Sequence, residues 1–338
     1  MSFSAASLRA VLEAHVPAGA TGLVVALSGG ADSAGLLSAA AGLGQGFRGL
    51  PLRAVHVDHG LQAAAAAFRD ACAASCARSN IALTVISAEV RPAPGESIEA
   101  AARDARYAAL QAELRPGECL LTAHHSEDQA ETLLLQALRG AGLKGLSAMP
   151  ICRPLGAGWH LRPVLDVPRA ELTAGAECGA VADPMNQDRR FDRSYLRGEV
   201  WPLIETRWPG AARALSRTAR HAAEAQGVLD GVAAADVARL RDGDALSVPG
   251  LRTLEPAARL HALRAAVEAG DAEAVSFNVH TLKGSAANLG AMRVVAACQE
   301  IESVSETLGA GALEPLLRSL ERQAVDAQAA LSRLAETG

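Results

Sequence analysis

Aromatic residues make up only 3% of the 338 residues, and two of the 32 basic residues are lysines, Lys144 and Lys283. So few aromatics leave little material for a base-stacking platform. No run of about 18 apolar residues occurs, so no membrane-spanning helix is expected. The N-terminal Met-Ser-Phe-Ser-Ala-Ala-Ser lacks a basic region followed by an apolar stretch. A secretion signal is therefore not expected, and a cytoplasmic location is. The six cysteines are Cys72, Cys76, Cys119, Cys152, Cys178 and Cys298, with no C-x-x-C pair among them. Cys72 and Cys76 share a helix face, but no second pair or nearby histidine completes a zinc set. They read as reduced, mostly buried thiols. The phosphate-binding string G-x-x-x-x-G-K-S/T is also missing.

What is present points to a large folded chain. Half the residues are hydrophobic, and at about 100–200 residues per domain the length suggests two domains. The net charge of -5 and pI of about 6.0 argue at first against a nucleic-acid partner. The charge is unevenly spread. Residues 1–235 hold 22 basic and 23 acidic residues, and residues 236–338 hold 10 and 14. Within 189–220 eight arginines face three acids. That stretch, Arg189, Arg190, Arg193 and Arg197 foremost, is either a solvated helix surface or a phosphate-contacting one.

Apolar runs and helical periodicity alternate through the first half. Strands are expected at Leu23–Leu27, Leu52–Val57, Ile81–Ser87 and Leu120–Ala123. Helices are expected over 8–16, 33–41, 62–79, 98–113 and 126–139. This is the pattern of an α/β fold with a doubly wound, mostly parallel sheet. From about residue 195 the pattern is almost wholly helical.

Ser28-Gly29-Gly30-Ala31-Asp32-Ser33 follows the first expected strand and opens a helix. Helix N-terminal N–H groups attract anions, and glycines let a backbone approach a phosphate closely. Asp32 would repel a bare phosphate, which suggests Mg2+ held between them. The bland reading is a glycine-rich turn with an ordinary helix cap. The segment resembles the pyrophosphate-binding loop of the PP-loop ATP pyrophosphatases, which have a Rossmann-like fold.

Further strings narrow the resemblance. His56-Val57-Asp58-His59-Gly60-Leu61 ends the second strand, where α/β sheets place ligand-facing groups. Arg103 and Arg106 share a helix face. Thr122-Ala123-His124-His125-Ser126-Glu127-Asp128-Gln129-Ala130-Glu131-Thr132 follows the fourth strand. There His124, Asp128 and Glu131 form either one catalytic constellation or, less readily, a zinc site. Asp183-Pro184-Met185-Asn186 and the Arg193…Arg197 pair complete the set. In this order the strings resemble the tRNA(Ile)-lysidine synthetase family over about residues 8–264.

That resemblance implies ATP and Mg2+ as cofactors, and free L-lysine and a tRNA(Ile) with a CAU anticodon as partners. The wobble cytidine is adenylated, then lysine displaces AMP. Ser28, Gly29, Gly30, Ala31, Asp32 and Ser33 would hold pyrophosphate, with Asp32 on the metal and His56 and Asp58 beside the nucleotide. Arg103 and Arg106 would offset phosphate charge. Asp128 and Glu131 would bind lysine, and His124 or His125 would assist proton removal from its amine. Arg189, Arg190, Arg193 and Arg197 would lie against tRNA.

The last quarter departs from that family. His280-Thr281-Leu282-Lys283-Gly284-Ser285 lies beside a buried-type helix stripe of Val275, Val279, Leu282, Ala286 and Leu289. It resembles the histidine-containing phosphotransfer domain, which would place a phosphoryl group on His280, with Lys283 lessening the charge and a receiver domain as donor. The expected division is 1–188 for the PP-loop domain, 189–253 for a helical tRNA-side extension and 254–338 for a helical bundle. Two alternatives stay open. One is a phosphorelay protein with a vestigial or truncated synthetase domain. The other is a different PP-loop tRNA-modifying ligase.

Overall fold

The computed structural model describes residues 3–44, 47–58, 65–92, 98–174, 191–242 and 245–246, and scattered positions from 253 onward. His59 to Leu61, the Asp183–Asn186 string, Arg189, Arg190 and His280 lie outside the described residues. Two compact units divide the chain, Met1–Ala223 and Glu224–Gly338.

The first unit begins with helix α1 (Ala5–His15) and then alternates as expected: β1 (Gly22–Leu27), α2 (Ala31–Ala41), β2 (Leu52–Asp58), α3 (Ala65–Arg78), β3 (Ala82–Ser87), α4 (Ile98–Glu113), β4 (Glu118–Leu121) and α5 (Ser126–Leu138). β1, β2, β3 and β4 pair in parallel. β1 is apolar along its length because both faces are covered. Leu23, Val25 and Leu27 join a core with Leu36 and Leu37 of α2 and Cys72 and Cys76 of α3. Val24 faces the other way, with Val55, Leu120 and Leu110 of α4.

Two expectations need correction. β4 starts earlier and stops at Leu121, so Thr122 and Ala123 lie beyond the strand. More importantly, the sheet has six strands rather than four. After the short helix α6 (Leu143–Leu146) come β5 (Cys152–Leu155) and β6 (Gly158–Leu161). They form a hairpin closed through Gly156 (φ 55°) and Ala157, with Leu155 opposite Gly158. β6 lies parallel to β4, giving the order β3-β2-β1-β4-β6-β5. Pro154, which cannot donate to a ladder, sits on the edge strand.

Helix α7 (Arg169–Thr173) then packs on α2, where Gly35 is small enough to admit the Leu172 backbone. α8 (Asp192–Tyr195), a π-helical turn (Leu196–Val200) and α9 (Trp201–Arg207) follow, then α10 (Ala211–Leu240). The unit boundary falls within α10. In the second unit Arg241–Asp242 and Ala245–Leu246 pair as two short antiparallel strands, within the part of the chain expected to be almost wholly helical. The described positions from 296 to 300 are helical, as are Ala258, His261, Lys283, Ser319 and Gln323. Among the described residues no helix is long and apolar enough to cross a membrane.

The core thiols carry a direct prediction. Burial pushes Cys72 up to about 12, helped by neighbouring Cys76, and burial does the same to Cys119, with Cys152 nearby. Both should resist iodoacetamide at pH 8 until the protein is unfolded, as peptide mass mapping would show. The folded chain keeps these protons above the ordinary thiol value of 9.0, where the unfolded chain releases them. Stability should therefore fall as pH rises above that value. Rapid labelling of both thiols in the native protein would contradict this burial.

Candidate active site

The sheet order sets the location. β1 connects outward to β2, while β4 lies on its other side. The carboxyl ends of β1 and β4 therefore flank a topological switch point, where open α/β sheets form their ligand crevice. The glycine loop follows β1 and the double-histidine turn follows β4.

The loop is held by its own serines. Ser33 Oγ donates to the Gly30 carbonyl (3.0 Å) and accepts from the Ser28 backbone N–H (3.1 Å). Ser28 Oγ lies 3.1 Å from Ser33 Oγ and accepts from Gly30 N–H at 3.3 Å. Gly29 has φ 83°, and a Cβ there would stand 2.8 Å from Phe68 Cδ1 and 3.0 Å from the Phe68 carbonyl. Gly29→Ala should thus cost about 2 kcal/mol, combining the left-handed penalty with a clash. Urea denaturation would measure it, and an unchanged midpoint would show that the loop is not held this way. Gly30 caps α2 without a side-chain bond, so the first-turn N–H groups of Ala31, Asp32 and Ser33 face the crevice end of the helix.

Asp32 lies in that first turn and pairs with Arg169 Nε at 2.8 Å. The Arg169 backbone N–H also meets both Glu127 oxygens, at 3.0 and 3.2 Å. α7 therefore ties the loop after β1 to the turn after β4. His56 is buried, with its Nδ1 2.9 Å from the Leu27 carbonyl and 3.5 Å from Cys72 Sγ. It braces the ends of two strands. Asp58 lies 3.7 Å from Arg69.

The turn after β4 gathers charge. His125 caps α5, and its backbone N–H donates to Asp128 Oδ2 at 3.1 Å, the return half of a capping box. Its ring has Glu127 Oε2 3.0 Å from Nδ1 and Asp128 Oδ2 3.4 Å from Nε2. Burial works against the imidazolium, but the Glu127 hydrogen bond and the charges of Asp128 and Asp32 outweigh it and raise the His125 pKa. Burial opposes ionisation of Asp128, yet His125, His124, Arg193 and Arg197 together hold its carboxyl below the usual range.

Arg193 and Arg197 hold positions that the sequence did not suggest. Their guanidiniums pair with carboxylates of α5 while their side chains stay partly exposed. Glu131, with a side chain 2% exposed, accepts from Arg193 Nε (3.1 Å) and from Arg197 Nε and Nη2 (2.7 and 2.8 Å). Arg197 also reaches Asp128 Oδ1 at 3.0 Å. A carboxylate so buried must be paired, and these arginines are its partners. Of the basic stretch, Arg213, Arg217 and Arg220 are exposed along α10 instead. Arg207 stacks over Trp208.

Arg103 and Arg106 project from α4 around Tyr107, with guanidinium carbons 5.3 and 5.6 Å from its ring centre. Arg153 joins them at 5.8 Å. Burial lowers the Arg106 pKa, and like charge from Arg103 and Arg193 adds to this. The sequence reading missed Arg153, His160, Glu127 and Arg169, because each depends on the hairpin or on α7. Gln129, within the quoted motif, instead grips the Met149 backbone at 2.9 and 3.0 Å and pins the following segment to α5. No cluster of three or more His, Cys, Asp or Glu side chains among the described residues could hold a metal. That removes support for zinc at His124, Asp128 and Glu131, whose carboxylates take arginines. Mg2+ needs less, since one carboxylate with phosphate oxygens and waters suffices. Asp32 fits that requirement.

A glycine loop on a helix N-terminus at the switch point of a parallel sheet defines a phosphate-binding α/β protein. The chain belongs to the PP-loop family, whose PP-loop domain matches residues 4–204. Residues 255–337 match the Hpt domain. The curated relatives include a tRNA(Ile)-lysidine synthase of Pseudomonas putida, 48% identical over 239 residues, covering 70% of this chain and 56% of that one. One from Alkalilimnicola ehrlichii is 48% identical over 241 residues, covering 70% and 54%. One from Xanthomonas campestris is 45% identical over 269 residues, covering 77% and 61%. The chain thus spans a little over half the length of the curated relatives it matches. Among solved structures, the U34-tRNA thiolase NcsA of Methanococcus maripaludis aligns at 14% identity with a TM-score of 0.48, covering 64% of this chain and 77% of that chain.

Proposed function

We propose that the front of the chain is an ATP-dependent tRNA(Ile)-lysidine synthetase. It would join lysine to the wobble cytidine of a CAU-anticodon tRNA and release AMP and pyrophosphate. The observation that carries this reading is the pairing, at adjacent strand ends, of an anion-binding loop with a carboxylate–histidine turn. One half suits a triphosphate and the other a cationic amine. The names of the similar curated proteins point the same way.

In this reading the loop of residues 28–33 binds pyrophosphate, chiefly through the first-turn N–H groups of Ala31, Asp32 and Ser33, and Asp32 would hold Mg2+, which would neutralise phosphate charge. Arg103 and Arg106 face the negative charge that grows on the α-phosphate when the cytidine oxygen attacks. Asp128 and Glu131 take the lysine cation by exchanging it for Arg193 or Arg197. The exposed arginines of the 189–220 stretch, with Arg189 and Arg190, meet the tRNA backbone. The domain divisions at 188 and 253 belong to the same proposal.

The test is direct. Wild-type protein is incubated with ATP, labelled lysine and unmodified CAU-anticodon tRNA(Ile). Lysine entering tRNA with stoichiometric AMP supports the reading, and no incorporation under saturating conditions overturns it. The Hpt match supports a second activity at the other end of the chain. There His280 would accept a phosphoryl group from a receiver-domain aspartyl phosphate, with Lys283 nearby. Acid-labile phosphate on His280 after mixing with a phosphorylated receiver domain would support it. If the receiver keeps its phosphate, this second activity is excluded.

A further inference from the structure

A line of four polar side chains runs from the β5–β6 hairpin to the turn after β4, and its direction is fixed at one end. Arg162 is 3% exposed. Its Nη1 donates to the Pro150 carbonyl at 2.7 Å, and its Nη2 lies 3.2 Å from His160 Nδ1. A guanidinium only donates, so His160 Nδ1 must accept. His160 is fully buried. Burial, seconded by Arg162, His124, Arg153 and Arg103, pulls its pKa down to about 2. The ring is therefore neutral, and its one proton is on Nε2.

That Nε2–H stands 2.8 Å from Thr122 Oγ1, which accepts it. The Thr122 hydroxyl proton is then available for His124 Nδ1, also at 2.8 Å. His124 is held near 3 by burial and by the charges of Arg162, Arg106 and Arg103, against the opposing pull of Asp128. With Nδ1 accepting, its proton sits on Nε2.

We propose that Arg162, His160 and Thr122 are positioning residues that lock His124 in its Nε2–H tautomer, so that His124 acts as a neutral hydrogen-bond donor to an anionic oxygen of the bound substrate. It does not serve as the base that deprotonates lysine, because a nitrogen already carrying a proton cannot take one. No proton changes hands at His124. The N–H shares its hydrogen with the oxygen on which charge grows, as a preorganised donor should. The catalytic half of this rests on the ligase reading, whereas the tautomer rests on the hydrogen-bond line and on the burial of both rings.

The experiment uses the full chain with histidine-selective 15N labelling. The His124 signals are assigned by their loss in His124→Asn. The expected wild-type pattern near neutral pH is a protonated Nε2 and an unprotonated Nδ1. In Thr122→Val, which offers no donor, the pattern should shift toward Nδ1–H, and Thr122→Ser should keep it. A charged or Nδ1–H His124 in the wild type overturns the proposal, even if every variant unfolds. An unmoved tautomer in folded Thr122→Val overturns it too. In the lysine-incorporation assay, Thr122→Val should lower kcat about 10- to 100-fold with KM for ATP unchanged, and Thr122→Ser should restore it. Equal losses in the two variants would show a packing effect and overturn the catalytic half. If the wild type shows no incorporation while the tautomer is as expected, the ligase reading falls and the wiring survives.

Discussion

Glu131→Ala should lower the stability of the front unit by about 3 kcal/mol, even though glutamate-to-alanine changes are usually mild. Glu131 is closed over by three charge-assisted hydrogen bonds from Arg193 and Arg197. Removing it leaves two guanidiniums over a buried gap, with, among the described residues, Asp128 for Arg197 and the Thr132 hydroxyl and Asp128 carbonyl for Arg193. The arginine side chains are 27% and 39% exposed. They can regain some hydration, which keeps the expected loss at the low end for a broken buried pair. For a unit of this size the thermal midpoint should fall by about 6–12 °C. Glu131→Gln keeps the shape and one acceptor, so it should cost less. Calorimetry of the full chain would check both. A fall under about 2 °C for the alanine variant would mean that the clasp contributes little, as exposed ion pairs do.

Asp32→Ala should separate binding from turnover. Without a divalent cation, Asp32 repels the phosphates that the loop attracts, so its removal should leave metal-free nucleotide binding intact or tighter. With Mg2+ present, lysine incorporation should fall by about three orders of magnitude or more. The variant also frees Arg169, whose guanidinium could then pair with phosphate and further favour binding. Nucleotide affinity measured with and without Mg2+, beside the incorporation assay, reads all three effects. If turnover survives, Asp32 is only a helix-terminal charge.

The alternating half of the chain was legible from its residues because β1 is apolar on both faces and short strand-like runs alternate with longer helix-length segments. The glycine loop was legible for the same reason, since its whole geometry lies within six consecutive positions. The site beyond it was not. Gly158-Trp159-His160-Leu161 is too short for strand alternation to register, and Pro154 argues against a strand at β5. Yet this hairpin supplies Arg153 and His160. The pairing of Arg193 and Arg197 with α5 was hidden differently. A run of arginines looks the same in sequence whether it faces solvent or a carboxylate 62 to 69 positions earlier. Only the path of the chain back across α5 decides.

In the proposed ligase, the clasp of Arg193 and Arg197 on Asp128 and Glu131 would make the carboxylate half of this crevice an ion exchanger. Its negative charge is already balanced at rest, so an entering cation replaces one counterion with another and adds no net attraction. Selectivity must then come from shape and from the number of hydrogen bonds a ligand can offer. Affinity for a monovalent amine should accordingly depend only weakly on ionic strength. The same exchange would release one guanidinium toward the crevice as an amine arrives. Any anionic group held beside it would gain the positive charge that the carboxylates had been neutralising.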